Sequence, residues 1–215
     1  GFVGLDLVFY LSKHPKAKVS YICARKNIGS SIKKFDKRIK KKLPKISHLT
    51  NVNWNKVDIL FLSLPNGEAQ KLIKKLFKYN HLKFIDLSAD FRIESLKKYK
   101  KWYSLDHSAK HLLNKSIYSI PEFTKNQIKN FRIVANPGCY PTSIQLALIP
   151  LFKKHLIKTK NIIIDSKSGY SGAGKNYKSK FKHKNIESSV FAYGIEKHRH
   201  MSELDQQFYK ILNNK

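Results

Sequence analysis

Apolar runs of strand length alternate with amphipathic stretches of helical length along the first 135 residues. The segments 57–64, 82–87 and 131–135 are mainly apolar and are predicted as buried strands. The segments 1–14 and 68–79 carry apolar side chains at helical spacing and are predicted as helices. Strands that alternate with helices in this way predict a parallel sheet flanked by helices.

The remaining segments are less regular. Residues 18–24 alternate toward one more strand, whereas 33–48 is so rich in lysine that we expect a mobile surface excursion there. Further along, 161–167 and 189–195 are predicted as strands, and a last helix is predicted to begin near Met201.

Length and cysteine usage narrow the class of protein. The 215 residues allow one large domain or two small ones, and a hydrophobic fraction of 41% suffices for a sizeable core. Cys23 and Cys139 lie far apart without the spacing of a disulfide framework or a zinc knuckle, which fits a reducing cytoplasm. No apolar stretch approaches the ~20 residues of a membrane span, and no signal peptide is visible. We therefore predict a cytoplasmic location and no membrane partner.

The chain is strongly basic, with 43 Lys and Arg against 14 Asp and Glu and a formal net charge of +29. Such a charge alone favours nucleic acid or another polyanion as a partner. Lysines are nevertheless scattered through every segment, with one dense run at 33–45, and arginine is scarce. We interpret the excess as compositional drift with solvated lysines and predict no nucleic-acid partner. A selected polyanion surface is the alternative.

One cysteine lies in a Pro/Gly turn between a predicted strand and a helical pattern, in the motif Asn136-Pro137-Gly138-Cys139-Tyr140-Pro141-Thr142. Unpaired N–H groups and the positive end of the helix dipole favour thiolate over thiol at such a position. The same donors can hold an oxyanion when the sulfur attacks a carbonyl. The alternative is a small buried cysteine that packs as a hydrophobic residue.

Three glycine-containing segments and one arginine are candidates for a cofactor site. Gly1 and Gly4 lie at the start of the first helix, like the end of a dinucleotide-binding loop. Arg25 follows the second apolar segment, where an arginine can pair with a 2′-phosphate; a surface arginine is the alternative. The segment Ser63-Leu64-Pro65-Asn66-Gly67 ends a strand, where open α/β sheets bind ligands. The segment Ser168-Gly169-Tyr170-Ser171-Gly172-Ala173-Gly174 predicts an anion cradle or a flexible turn.

Two histidines flank an arginine just before the last predicted helix. His198 and His200 lack a cysteine or carboxylate cluster at metal-ligand spacing, so we predict no metal site. Either histidine can act as a general acid or base near neutral pH. Arg199 can hold a carboxylate or phosphate. The alternative for the cluster is an ordinary charged loop.

Four motifs in this order resemble the N-acetyl-γ-glutamyl-phosphate reductase family, which is related to aspartate-semialdehyde dehydrogenase. They are Asp86-Leu87-Ser88-Ala89-Asp90-Phe91-Arg92, the motif around Cys139, the segment 168–175 and His198-Arg199-His200 followed by a helix. The resemblance covers essentially all 215 residues.

The resemblance implies an α/β fold: a Rossmann-like, doubly wound parallel sheet with a second α+β domain for catalysis and dimerisation. It implies an NADP-binding domain at 1–137 and the first part of the catalytic domain at 138–215. Family members carry a strand and further glycines before the position of Gly1, and a long C-terminal region. We therefore expect both ends to be incomplete, and this span to be poorly stable and nearly inactive alone. At full length the resemblance implies a homodimer or homotetramer.

The resemblance also implies the reduction of an acyl phosphate to an aldehyde by NADPH with release of phosphate. Cys139 would form a thioester, and His200 would shuttle protons, with His198 as its rival. Substrate-binding residues would be Arg92, Arg199, Asn136 and Tyr193. NADP-binding residues would be Gly1, Gly4, Arg25, Pro65, Gly169, Ser171, Gly172 and Gly174.

Three other functions stay open on the sequence alone. Aspartate-semialdehyde dehydrogenase would perform the same chemistry on a different acyl phosphate. A basic nucleic-acid-binding module would use the lysine excess, with affinity falling steeply as salt increases. A non-catalytic remnant would keep the motifs without the complete fold.

Overall fold

Helices and parallel strands alternate along the chain, as the apolar pattern predicts. The computed structural model describes residues 1–175, 177–180, 185 and 188–213. These residues form two compact units, one from 1–58 with 168–186 and the other from 59–167 with 187–215.

The described helices are α1 Phe2–Lys13, α2 Glu68–Leu76, α3 Leu96–Tyr103, α4 Pro121–Ile128, α5 Cys139–Lys153, α6 Tyr177–Lys180 and α7 Met201–Asn213. The described strands are β1 Ile22–Cys23, β2 Ile46–Ser47, β3 Ile59–Leu62, β4 Lys83–Asp86, β5 Ser116–Tyr118 and β6 Ile133–Ala135. None of the described helices has the length and apolarity that a membrane crossing requires.

The second unit is built on a four-stranded parallel sheet with the order β3-β4-β6-β5. The strands end in register, because Asp86 pairs with Leu62 on one side and with Ala135 on the other, and Ala135 also pairs with Tyr118. The loops that follow the four strands therefore leave the same edge of the sheet, which is where open α/β sheets bind ligands. The predicted parallel α/β fold is confirmed.

A buried carboxylate holds two of these loops together. Asp90 is 0% exposed and accepts hydrogen bonds from the backbone N–H groups of Gly67 at 2.7 Å and Gln70 at 3.0 Å. It also accepts the hydroxyl proton of Tyr99 at 2.8 Å. Gly67 is the N-cap of α2 and has no side chain of its own for capping. Asp90 supplies that cap from the loop after β4, which explains an acidic residue at this buried position.

The lysine-rich segment 33–48 is not the surface excursion that its composition predicts. It contains β2, which pairs in parallel with β1. Ile32, Ile39 and Ile46, spaced seven residues apart, are buried in one core cluster with Ile22. The lysines between them are exposed. The lysine content masked the apolar pattern of this segment, because the lysines outnumber the buried isoleucines.

Two predicted strands are wrong. Residues 161–167 and the described residues of 189–195 form no strand, and Ile163 and Val190 are 94% and 91% exposed. The first predicted buried strand, 57–64, is shorter and less buried than expected, since β3 lies at the sheet edge with Ile59 47% exposed. An apolar run becomes a strand only where a neighbour satisfies its backbone groups.

We expect Asp90→Ala to lower the free energy of unfolding by about 3 kcal/mol, because it leaves two backbone N–H groups and one hydroxyl without their buried acceptor. Asp106→Ala is the matched control. Asp106 forms an ion pair with Lys100 in which both side chains are well exposed, so its loss should cost under about 1 kcal/mol. Urea denaturation of both variants measures the difference. Equal losses would contradict the capping role.

Candidate active site

The sequence placed Cys139 on a turn that opens a helix, and the structure confirms this position. Helix α5 begins at Cys139 and its N-cap is Gly138, which follows β6 after Asn136 and Pro137. The thiol is free and exposed. The N-cap has no side-chain hydrogen bond, so the positive end of the helix dipole faces the turn without a capping group.

Only some of the N–H groups expected at this helix start are available. The N–H of Gly138 donates to Oε2 of Glu203 at 3.0 Å. Pro141 has no N–H. Within the described part of the chain, the N–H groups of Cys139 and Tyr140 meet no acceptor. These two groups are the first-turn donors that a developing oxyanion can use.

His200 packs directly against this turn. A Cβ atom on Gly138 would lie 2.4 Å from Nε2 of His200 and 2.7 Å from its Cδ2, which is closer than any real contact. Gly138 is therefore required by the close approach of the imidazole ring. The sequence left His198 and His200 as rivals for the acid/base role, and the geometry places His200 at the turn that carries Cys139.

His200 is neutral at neutral pH. Burial and, after it, the positive charges of His198, Arg92 and Arg199 lower the pKa of His200 to about 4. Its Nδ1 atom is buried and has no hydrogen-bond partner among the described residues. A neutral imidazole can accept a proton, which is the state that a general base requires.

His198 is held differently. The backbone N–H of His200 donates to Nδ1 of His198 at 3.3 Å, so the ring proton of neutral His198 lies on Nε2. Burial first, and then the charge of Arg199, lower the pKa of His198. His198 thus contributes an N–H donor and a ring that packs against His200, with ring centroids 4.8 Å apart.

Two tyrosines complete the ring cluster. The ring centroid of Tyr193 lies 5.2 Å from that of His198, and the ring centroid of Tyr140 lies 5.4 Å from that of His198. Burial first, and then a hydrogen bond with Tyr140, raise the pKa of Tyr193. The structure therefore brings together Cys139, both histidines and Tyr193, four of the residues that the sequence singled out.

Arg92 occupies a different position from a ligand-binding arginine. It is 8% exposed, and its Nε donates to the carbonyl of Asn136 at 2.7 Å. Its Nη1 donates to Glu203 at 3.1 Å and its Nη2 to the carbonyl of Leu87 at 3.0 Å. All three guanidinium nitrogens thus donate to acceptors within the protein. A substrate-binding role for Arg92 stays a prediction, and this geometry does not favour it.

The two other predicted substrate residues are more accessible. Arg199 is exposed, and its guanidinium lies 5.7 Å from the ring centroid of Tyr103. Asn136 is exposed, and its side-chain amide donates to the carbonyl of Pro137 at 3.1 Å. In sequence, Arg199 lies between His198 and His200, and Asn136 lies three residues before Cys139.

Glu203 is a buried residue of the site that was not among the predicted site residues. It is 0% exposed and binds Gly138, Arg92 and Tyr118. The available signal was an acidic residue three positions after His200, in a chain with only 14 Asp and Glu.

The first unit contains most of the predicted cofactor residues. Helix α1 begins directly after Gly1, whose N-cap position has no side-chain hydrogen bond, and Gly4 lies in its first turn. Nζ of Lys175 lies 5.8 Å from the ring centroid of Phe2, so the end of the glycine-rich segment reaches the start of α1. A helix N-terminus beside a lysine fits the pyrophosphate of a dinucleotide.

The glycine-rich segment is tightly folded rather than an open linker. The N–H of Gly172 donates to the carbonyl of Gly169 at 2.9 Å, and the N–H of Gly174 donates to that of Ser171 at 2.9 Å. A Cβ atom on Gly172 would lie 2.5 Å from Oγ of Ser168, and Gly174 has φ +88°. Glycine is therefore favoured by the backbone at Gly174, whereas a side chain at Gly172 would displace the Ser168 hydroxyl.

Arg25 and Pro65 lie where the sequence predicted them. Arg25 is exposed and follows β1 by two residues. Pro65 is exposed after β3, in the second unit. Across the described ranges, three or more His, Cys, Asp or Glu side chains do not come together in an arrangement that could hold a metal ion.

Two family models match the chain. Residues 1–131 match the NAD binding domain of semialdehyde dehydrogenase, and residues 139–215 match the semialdehyde dehydrogenase dimerisation domain. The chain therefore belongs to the semialdehyde dehydrogenase family, and it carries a nicotinamide-cofactor-binding domain. The predicted domain boundaries, 1–137 and 138–215, stay a prediction.

The curated relatives are more specific. Over 216 residues the chain is 40% identical to "Probable N-acetyl-gamma-glutamyl-phosphate reductase, chloroplastic" of Oryza sativa subsp. japonica, covering 100% of this chain and 52% of the relative. Over 210 residues it is 41% identical to N-acetyl-gamma-glutamyl-phosphate reductase of Ehrlichia ruminantium (strain Gardel), covering 96% and 60%. The resemblance found in the motifs is confirmed. The chain spans about half to three fifths of these relatives.

A solved structure supports the fold. Aspartate semialdehyde dehydrogenase II from Vibrio cholerae matches with a TM-score of 0.59 at 15% identity, covering 99% of this chain and 62% of that chain. At this identity the likeness concerns the fold alone.

We expect Gly138→Ala to displace the His200 ring, because the added methyl group would overlap Nε2. The displaced imidazole gains solvent, so the pKa of His200 should rise from about 4 toward the usual value near 6.5. Titration of the histidine ring by NMR measures this change. Ser143→Ala, on the exposed side of α5, is the control and should leave the pKa unchanged. An unshifted pKa in Gly138→Ala would contradict the observed packing.

Proposed function

We propose that this protein reduces N-acetyl-γ-glutamyl phosphate to N-acetylglutamate semialdehyde and releases phosphate, a step of arginine biosynthesis. The curated relatives at 40% and 41% identity support this substrate. The observation that carries the chemistry is the contact of a neutral His200 ring with the turn that presents the exposed Cys139 thiol.

Cys139 is the nucleophile in this proposal. Its sulfur attacks the acyl carbon while the neutral imidazole of His200 takes the thiol proton. The bond from the acyl carbon to the phosphate oxygen breaks, and His200 returns the proton to the leaving phosphate. The N–H groups of Cys139 and Tyr140 stabilise the oxyanion that forms during the attack. The product of this half-reaction is a thioester on Cys139.

The nicotinamide cofactor, when bound, supplies the hydride that reduces the thioester to the aldehyde. Gly1, Gly4 and the segment 169–174 would hold its pyrophosphate, because α1 presents an uncapped N-terminus there beside Lys175. Pro65, in the loop after β3, stays a predicted cofactor-binding residue. Arg199, Asn136 and Tyr193 would orient the substrate, with the exposed guanidinium of Arg199 bound to an anionic group.

NADP rather than NAD is the cofactor that we propose. Arg25 is exposed just after β1, where an acidic side chain would instead accept hydrogen bonds from the ribose hydroxyls of NAD. Oligomerisation through the region 139–215 is also part of the proposal, since that region matches a dimerisation domain. The cytoplasmic location stays a prediction.

We expect Cys139→Ser to lower turnover by about 1,000-fold or more, because the hydroxyl is a much weaker nucleophile. The assay is the reverse reaction with N-acetylglutamate semialdehyde, NADP and phosphate, followed by NADPH absorbance. Cys23→Ser, at the other exposed thiol, is the matched control and should keep its activity. Unchanged turnover in Cys139→Ser would rule out the thioester route. Faster turnover of aspartate semialdehyde than of the acetylated substrate would instead identify the related dehydrogenase.

We expect Arg25→Asp to lower kcat/KM for NADPH by about 10- to 100-fold, because an ion pair with the 2′-phosphate becomes a repulsion. The value for NADH should change far less. Lys26→Asp changes the charge equally at the next exposed position and should leave the preference unaltered. A parallel loss for both cofactors in Arg25→Asp would argue against a 2′-phosphate contact.

A further inference from the structure

The carboxylate of Glu203 joins four parts of the second unit. Glu203 lies in the first turn of α7 and is 0% exposed. Its Oε2 accepts from the N–H of Gly138 at 3.0 Å and from the hydroxyl of Tyr118 at 3.1 Å. Its Oε1 accepts from Nη1 of Arg92 at 3.1 Å. The side chain therefore reaches the turn of the nucleophile, a sheet strand and the loop after β4.

This carboxylate also connects the two reacting side chains. The N–H of Glu203 donates to the carbonyl of His200 at 3.1 Å, and its carboxylate binds the residue directly before Cys139. One residue thus fixes the backbone of His200 on one side and the backbone of the nucleophile turn on the other.

The same network anchors both ends of the turn. Nε of Arg92 holds the carbonyl of Asn136 at 2.7 Å. Nε2 of Gln145 donates to the hydroxyl of Tyr118 at 2.7 Å and to the carbonyl of Pro141 at 3.0 Å. The carboxylate of Glu203 therefore holds the turn directly at Gly138. It also holds the turn indirectly at both ends, through Arg92 at Asn136 and through Tyr118 and Gln145 at Pro141.

An ionised carboxylate suits this position better than an amide. All three partners of Glu203 are donors, and a carboxylate presents acceptors only. In Glu203→Gln the side-chain NH₂ group would face Arg92 in one orientation, and Gly138 and Tyr118 in the other. In both orientations it would place a hydrogen-bond donor against another donor. A buried charge is tolerated where an opposite charge and hydrogen bonds compensate it, as Arg92 does here.

We propose that Glu203 is a positioning residue that holds the Cys139 turn and His200 in the geometry of the reaction. The proposal rests on the proposed function for its effect on turnover, and on the hydrogen bond to Gly138 for its structural part. Glu203 acts through Gly138 and His200 and does not itself meet the substrate.

The test is Glu203→Gln, with Glu94→Gln as the matched control. Glu94 is exposed and forms an ion pair with Lys210 of α7, so the control removes an acidic partner of the helix that carries Glu203 without removing a hydrogen bond to Gly138. We expect Glu203→Gln to lower kcat by about 10- to 100-fold with KM changed less than about threefold. We expect the amide proton of Gly138 to exchange at least about tenfold faster, while Glu94→Gln leaves kcat and this exchange rate unaltered.

Hydrogen exchange separates this proposal from the proposed function, because it needs neither substrate nor cofactor. Slow exchange at Gly138 in the unsubstituted protein and its selective loss in Glu203→Gln support the positioning role, even if no reductase activity exists. Exchange at Gly138 as fast as in an unfolded chain would overturn it without any variant. An unchanged rate and kcat in Glu203→Gln would overturn it too.

A second variant excludes general destabilisation. Tyr118→Phe removes one donor from the same carboxylate and leaves the bond to Gly138 intact. We expect it to lower the melting temperature while the protection of Gly138 persists. If Tyr118→Phe and Glu203→Gln accelerate exchange equally over the whole unit and lower kcat equally, Glu203 is a structural residue only.

Discussion

The site depends on hydrogen bonds that backbone N–H groups donate to buried carboxylates at one edge of the sheet. Asp90 accepts from Gly67 at the start of α2, and Glu203 accepts from Gly138 at the start of α5. In each case the acceptor comes from a distant loop or helix, so it fixes the two segments relative to each other. A loop cannot leave its carboxylate without stranding a buried charge, which costs several kcal/mol. The turn that carries Cys139 is thus preorganised by the protein itself.

The net charge of +29 conveys less about this molecule than the position of its 14 acidic residues. Asp86, Asp90 and Glu203 are each 0% exposed, whereas no described lysine is buried. The lysines keep their ammonium groups in water, so their number alters the surface potential and leaves the buried network unchanged. Basic composition and the architecture of the site therefore vary independently, and a polyanion partner does not follow from the charge alone.

Local signals predicted the parts of this fold that depend on local structure. The Pro/Gly turn before Cys139 and the helix starting at Met201 were predictable because caps and turns are encoded within a few residues. The strands predicted at 161–167 and 189–195 failed because pairing depends on a neighbour that no local pattern specifies. Glu203 was missed for the same reason: its partners Gly138 and Arg92 lie 65 and 111 residues away in sequence.

Burial is the first cause of the neutral state of His200, and the hydrogen bonds of Glu203 preserve that state. His200 lies just before α7 and packs against the start of α5, where burial first and then the charges of His198, Arg92 and Arg199 lower its pKa. A carboxylate hydrogen-bonded to the ring would reverse this and raise its pKa. The carboxylate of Glu203 is close in sequence, but Gly138 and Arg92 occupy it. The carboxylate of Glu203 binds Gly138 and Arg92 and not the imidazole ring. The neutral ring of His200 can therefore accept the proton of Cys139.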